Sequence, residues 1–316
     1  MLPGQVRAFV RRHPAVRHAT RQIRIHLPQS LGGLDPARLP PKTRTFELQL
    51  PRREGGPRIG PETLLIEAPG DSWIPRCLHL SGLAGYEPET LSCYLAVLEH
   101  ARPGSVLDVG ANMGLYASLA AARTRRRVYA FEPTPDTAAT ARMVAAANGL
   151  GVEVVELAAS NHSGTGHLHL SMTSDASNSL VPGFRPALGR IEVEVDTLAH
   201  WRERAGTAPA VIKIDTEGSE PDVISGGLEI LRRFRPFVFC AVLPEQGIWE
   251  RLMALLEPVD YHWYPLAGGP PHTPRSTIGG VDPEAEQSMW MFAPAPVPDR
   301  VWRTAVEWNA AISACR

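Results

Sequence analysis

The chain has 316 residues, 44% of them hydrophobic, with 32 basic and 33 acidic side chains. That length and apolar content support one large core or two modest ones, and exclude a chain disordered throughout. The balanced charge argues against a nucleic-acid-binding protein. Only two lysines occur, Lys42 and Lys213; the other basic residues are arginine, as coding bias in a GC-rich genome produces. A lysine retained inside a motif against that bias marks a position of interest.

Residues 1–42 read as a basic, loosely ordered arm. Arg7, Arg11, Arg12, Arg17, Arg21 and Arg24 precede the first acid, Asp35. A solvated arm is the preferred reading; weak peripheral contact of residues 7–24 with anionic lipid or glycan is the alternative. No charge-free apolar stretch of roughly 18 residues occurs, so no transmembrane span is expected, and the N-terminus lacks the apolar centre of a signal peptide. Cys77, Cys93, Cys240 and Cys315 have no CxxC spacing and read as reduced thiols in a cytoplasmic protein.

Residues 43–85 read as an N-terminal cap of short strands and a helix. Phe46, Leu48 and Leu50 alternate with polar residues, and 62–68 offers a partner strand. The principal α/β domain is expected over 86–298. A helix, PETLSCYLAVLEHA, leads into the strand SVLDVG, the helix LYASLAAAR, the strand YAFEP, an alanine-rich helix and a third strand, VEVVELAA. This alternation implies βαβ units and a parallel sheet. GHLHLSM and RIEVEV then alternate with period two, as an inserted antiparallel pair would. Next come helix TLAHWRER, strand AVIKID, a single helix over EPDVISGGLEILRRF, strand FVFCAVL and a helix near 246–256. YHWYPL and SMWMFAP read as edge strands, separated by a glycine- and proline-rich loop, 266–287, of lid-like length. In the tail, 299–316, Val301, Ala305, Trp308 and Ile312 have helical spacing, suited to packing on the core or on a second copy in a homodimer. His167 and His169 share a strand face without a third ligand and read as structural.

The most informative stretch is Val106-Leu107-Asp108-Val109-Gly110-Ala111-Asn112-Met113-Gly114. It follows a predicted strand and opens a helix, the context of a nucleotide-binding turn. Gly110 and Gly114 remove side chains where a ligand approaches the backbone, and Asn112 tolerates a left-handed conformation. The spacing is G-x-N-x-G, not the G-x-G-x-x-G of a pyrophosphate-binding turn. A carboxylate beside the turn, Asp108, suits an ammonium group, which S-adenosylmethionine (SAM) carries. Glu132, at the end of the second strand, is placed to accept protons from both ribose hydroxyls.

With these pieces the chain resembles a class I SAM-dependent methyltransferase, and more narrowly the FkbM family. The resemblance runs over about residues 70–293. It is carried by Tyr86-Glu87-Pro88-Glu89, VLDVGANMG, YAFEP and above all VIKIDTEGSEPDVISGG. It implies a Rossmann-like α/β fold, with a seven-stranded, mostly parallel sheet and an antiparallel last strand. It also implies methyl transfer, usually to a hydroxyl oxygen of a sugar or secondary metabolite. One departure is the fifth strand, Phe239-Cys240-Ala241-Val242-Leu243, which lacks the acid that family members often carry; Glu245 lies just beyond it.

In-line attack by a hydroxyl needs positioning and a base. Lys213 and Asp215 share one face of the fourth strand, and Glu217 follows at the turn. Asp215 and Glu217 are the candidate bases, with Lys213 to orient one of them or keep it ionised. A divalent metal on the same two carboxylates is the less favoured alternative. Glu220, at the helix start, is explained by the helix dipole. Ala159 and Ser160 sit where adenine is expected, Tyr86 and Glu87 where the chain could close over SAM, and Ser177-Asn178-Ser179 where acceptor hydroxyls could be read. Trp290 reads as core. A nicotinamide-dependent oxidoreductase and a non-catalytic methyltransferase-fold binding module are the rival functions.

Overall fold

The computed structural model describes residues 43–57, 59–243, 247–279 and 289–315. The basic stretch 7–24, Lys42 and Glu245 lie outside the described residues, as do positions 280–288 of the glycine- and proline-rich loop. Strand β1 (Thr43–Gln49) pairs antiparallel with β2 (Thr63–Pro69), with Leu48 opposite Leu64 and Phe46 opposite Ile66. The alternation puts Leu48, Leu64 and Ile66 inside. Helix α1 (Trp73–Ser81) follows, then α2 (Pro88–His100), which starts on a proline and buries Leu91, Tyr94, Leu95 and Leu98 at helical spacing.

Next come β3 (Ser105–Val109), α3 (Leu115–Arg123), β4 (Val128–Phe131), α4 (Pro135–Ala147) and β5 (Val152–Val155). The expected single third strand ends at Val155. There the Leu157 N–H bonds to the Val155 carbonyl, and this tight turn redirects the chain. Its last residues form β6 (Ala158–Ala159), which joins a second sheet in the order β6-β8-β7. Within it, β7 (Gly164–Ser171) and β8 (Ala187–Asp196) make the expected antiparallel pair.

The main sheet resumes after α5 (Leu198–Ala205) with β9 (Pro209–Ile214). The helix expected over 220–234 is two, α6 (Glu220–Gly226) and α7 (Leu228–Phe234). The break falls at the Gly226–Gly227 pair, where helix propensity is poorest. A Cβ on Gly226 would come within 2.0 Å of the Ser160 carbonyl oxygen, so the glycine lets α6 lie close against that loop. Strand β10 (Phe237–Ala241), helix α8 (Ile248–Leu256), β11 (His262–Pro265), β12 (Met289–Ala293) and α9 (Asp299–Ser313) complete the fold.

The seven strands run β11-β12-β10-β9-β3-β4-β5, with β12 antiparallel to both neighbours. This is the Rossmann-like α/β architecture. Only β11 of the two expected edge strands is an edge; β12 is interior and buried along its whole length. Its unbroken apolar run, MWMFA, is what burial on both faces requires. Trp290 is core, as expected. Described residues of the loop that follows β11 pack inward, with Leu266 and Ile278 buried. Helix α9 lies along α2, burying Val301, Ala305, Trp308 and Ile312, and the Trp308 indole donates to Glu99 (2.7 Å). The tail therefore packs on its own chain. Strand order reverses between β3 and β9, and the crevice beyond their carboxyl ends is where such sheets bind ligands.

Candidate active site

The glycine-rich turn leaves β3 in a left-handed path: Gly110 has φ +74°, Asn112 +50° and Gly114 +79°. Asn112 thus takes the conformation its side chain tolerates, and its Oδ1 accepts from the Met113 N–H (2.8 Å). The reason for Gly110 differs from the expected one. A Cβ there would lie 1.9 Å from the Asp215 carbonyl oxygen, so the glycine makes room for the neighbouring backbone. At Gly114 a Cβ would meet the side chain of Ala141 on α4. Both glycines serve protein packing, although Gly110 also borders the cavity described below.

Asp108 also departs from expectation. It points into the core beside its cross-strand neighbour Lys213, and does not line the cavity. It is fully buried, accepts the Ala117 N–H (2.9 Å), and lies 3.8 Å from the Lys213 ammonium. The ammonium is 3.2 Å from Asp215, 3.5 Å from the Gly110 carbonyl, and 5.0 Å from the centre of the Tyr116 ring. Burial alone would lower the lysine's pKa; Asp215, Asp108 and Glu87 outweigh it and raise it, so the lysine stays charged. Burial pushes Asp108 upward, with Lys213 opposing. Glu87 has φ +49° at the head of α2. Its side chain makes no cap bond to that helix; the carboxylate accepts a 2.6 Å bond from the Tyr116 hydroxyl, and burial raises its pKa. Tyr86 packs on the core beside it. Neither residue lines the cavity; both stand behind the Lys213 cluster.

The loop after β9 carries the carboxylates. Glu217 sits at φ +53°, a strained position for a side-chain-bearing residue, and its carboxylate lies 3.8 Å from Arg185. Ser179 donates to the Glu217 carbonyl (2.6 Å), tying the inserted segment to this loop. Glu220 does more than complement a helix dipole. Its two oxygens accept the N–H groups of Thr216 (2.7 Å) and Gly218 (3.0 Å), which clamps the turn between Asp215 and α6. Burial pushes Glu220 up to about 7.

These loops surround a cavity that opens to solvent. Glu132 lines it and accepts from the N–H groups of Asn112 (2.9 Å) and Thr134 (2.9 Å); burial raises its pKa against those bonds. Ala159 lines the cavity, but Ser160 does not: its N–H bonds to the Asp196 carbonyl. Asn178 lines it too. The ionisable residues lining it, among the described residues, are Glu132, Asp175, Asp215 and Glu217, all acidic. Asp175, Thr134, Tyr116 and the clamp of Glu220 escape sequence reasoning. Only Glu220 had a signal, its spacing of four residues from Thr216. Among the described residues no three His, Cys, Asp or Glu are grouped to hold a metal ion, and no helix is long and apolar enough to cross a membrane.

A Rossmann-like sheet with this glycine turn and a carboxylate at the next strand end defines a methyltransferase-type fold. Residues 108–261 match the model of the methyltransferase FkbM domain, and this segment belongs to that family. Among solved structures the chain is similar to an FkbM methyltransferase from Methylobacillus flagellatus KT, with 18% identity, a TM-score of 0.38, and coverage of 60% of this chain and 43% of that one. The chain thus spans less than half of that relative's length. It is similar also to a SAM-dependent methyltransferase from Agrobacterium tumefaciens (11% identity, TM-score 0.40, 83% and 73% covered). A third is fibrillarin from Aeropyrum pernix with natively bound SAM (10%, 0.34, 61% and 66%). No curated protein matches the chain.

Proposed function

We propose that this protein transfers a methyl group from SAM to a hydroxyl oxygen of a saccharide or natural-product acceptor. The observation that carries this reading is the cavity's charge: every ionisable residue lining it, among those described, is acidic. Such a lining suits a cationic sulfonium and ammonium, and opposes the dianionic pyrophosphate of a nicotinamide dinucleotide. When bound, SAM supplies a methyl group activated by its sulfonium. Glu132 and Asn112 would hold its ribose, and Ala159 would floor the adenine.

Asp215 and Glu217 are the groups we assign to the hydroxyl proton. Each already has a cation at hand, Lys213 at 3.2 Å and Arg185 at 3.8 Å, which orients the carboxylate. Lys213 also fixes the Asp215 carboxylate from below. Glu220 holds the connecting turn, so both carboxylates are placed before the acceptor arrives. The cytoplasm is the expected compartment, consistent with four free cysteines.

The test is Asp215→Asn and Glu217→Gln, assayed with labelled SAM and fractionated cell glycans and metabolites. Turnover should vanish in at least one variant while calorimetric SAM affinity stays within a few-fold, and a chelator should leave the wild-type rate unchanged. Full activity in both variants overturns the assignment. A protein that binds NADH and not SAM overturns the function.

A further inference from the structure

The cavity shares Asn112, Thr134, Asp175 and Asn178 with a second, wider cleft of about 710 Å³. The shared wall is held by long hydrogen bonds: Asn112 Nδ2 to the Asp175 carbonyl (3.5 Å) and Asn178 Nδ2 to Thr134 Oγ1 (3.4 Å). Bonds at that distance hold weakly. Three parts of the chain form the cleft: the N-terminal cap, the start of α4 and the inserted segment.

We propose that this cleft is the acceptor subsite and that it takes an oligosaccharide, an inference that rests on the methyl-transfer reading above. Three observations carry it. First, Trp73 and Met172 both line the cleft and both remain 40% exposed, two large apolar side chains on one wall. An exposed indole offers a flat apolar face to the C–H face of a sugar ring, while its surroundings stay wet. Second, the rest of the lining mixes donors and acceptors. Thr137, Thr140, Ser171, Thr173 and Ser174 supply hydroxyls. Arg44 and Arg76 stand against Asp71, Asp136 and Asp175. Such a surface reads a polyhydroxylated, uncharged ligand; a polyanion needs a basic excess and a lipid needs a continuous apolar wall. Third, the cleft's volume of about 710 Å³ lies well up the roughly 300–1,000 Å³ range of small-molecule pockets, room for more than one sugar ring.

The Trp73 amide donates to Asp175 (2.8 Å), and Asp175 belongs to the wall shared with the cavity. A ring seated on Trp73 is therefore one residue from the lining of the cavity. The experiment screens the tagged full chain against an array of defined di- to hexasaccharides, then measures the best binder by calorimetry. Trp73→Ala should weaken that binding about tenfold or more, Trp73→Phe should keep most of it, and SAM affinity should be unchanged in both. The subsite is overturned if no saccharide binds, or if Trp73→Ala binds like wild type. Saccharide binding that depends on Trp73 without SAM binding would uphold the subsite and overturn methyl transfer; SAM binding without saccharide binding would do the reverse.

Discussion

Lys213 is the residue whose removal has the most legible consequence. Asp108 is fully buried, and its Oδ2 is satisfied by the Ala117 N–H. Its Oδ1 has no hydrogen-bond partner among the described residues and faces the Lys213 ammonium at 3.8 Å. Lys213→Met keeps much of the stem and deletes the charge, which leaves a buried carboxylate uncompensated. Breaking a buried pair in this way costs about 3–5 kcal/mol. Urea unfolding of wild type, Lys213→Met, Asp108→Asn and the double variant measures it. The double variant should recover part of the loss, because the orphaned charge is gone.

The pH dependence has a definite sign. Burial raises Asp108 in the folded state above its unfolded value, so the folded protein holds that proton more tightly. Its contribution to stability therefore falls as pH rises above about 3.9, the unfolded value. Without the lysine the shift grows. The gap between wild type and Lys213→Met should close toward pH 4 and widen toward pH 8. A variant within about 0.5 kcal/mol of wild type at pH 7, or a gap equal at pH 5 and pH 8, refutes the reasoning.

Other substitutions probe the rest of the site. Lys213→Arg keeps the charge but puts a planar fork where a compact ammonium sits between two carboxylates and a carbonyl; turnover should fall, and an unchanged rate would show that only charge matters there. Glu132→Gln loses charge-assisted acceptance, worth about 1.5–3 kcal/mol, so SAM affinity measured by calorimetry should drop about tenfold or more. Glu220 is raised from 4.5 to about 7, so stability should decline between those values by up to about 3 kcal/mol and level off above. In Glu220→Gln that part of the slope should disappear from urea midpoints taken at pH 5 and pH 8; an unchanged slope assigns it elsewhere.

Much of this was legible because local chemistry and fold agree. The alternation of apolar strands and small-residue helices requires a parallel sheet, and the turn Gly110–Gly114 with Glu132 marks the carboxyl end where the cavity opens. What escaped is what depends on the third dimension. Asp108 and Lys213 lie 105 positions apart, and only the register of β3 against β9 makes them neighbours. Asp175 sits in a Ser/Asp/Asn-rich run with nothing to distinguish it, until the inserted sheet brings it to the cavity. The end of the third strand is hidden in the sequence because Val155 and Ala158 are equally apolar, while the turn between them is set by a backbone bond. Chain order likewise says nothing about the place of β12 between β10 and β11, so its sequence reads as an edge.

The nesting of Gly110 against Asp215 changes what the glycine turn is for, and that can be tested. The Asp215 N–H donates to the Val109 carbonyl (3.0 Å), and its own carbonyl occupies the space a Gly110 Cβ would need. The exits of β3 and β9 are therefore one packed unit, and the proposed base is held by the turn proposed to cradle SAM. Gly110→Ala adds left-handed strain of about 1–2 kcal/mol and a backbone clash costing about 1–3 more. Because the clash bears on Asp215 directly, turnover at saturating SAM should fall further than SAM affinity does. Gly114→Ala is the control: its Cβ would meet the Ala141 methyl at 3.3 Å and no atom of Asp215 within 4 Å, so turnover at saturation should be largely kept. If Gly110→Ala instead loses affinity and keeps full turnover at saturation, the glycine serves the ligand and not the carboxylate.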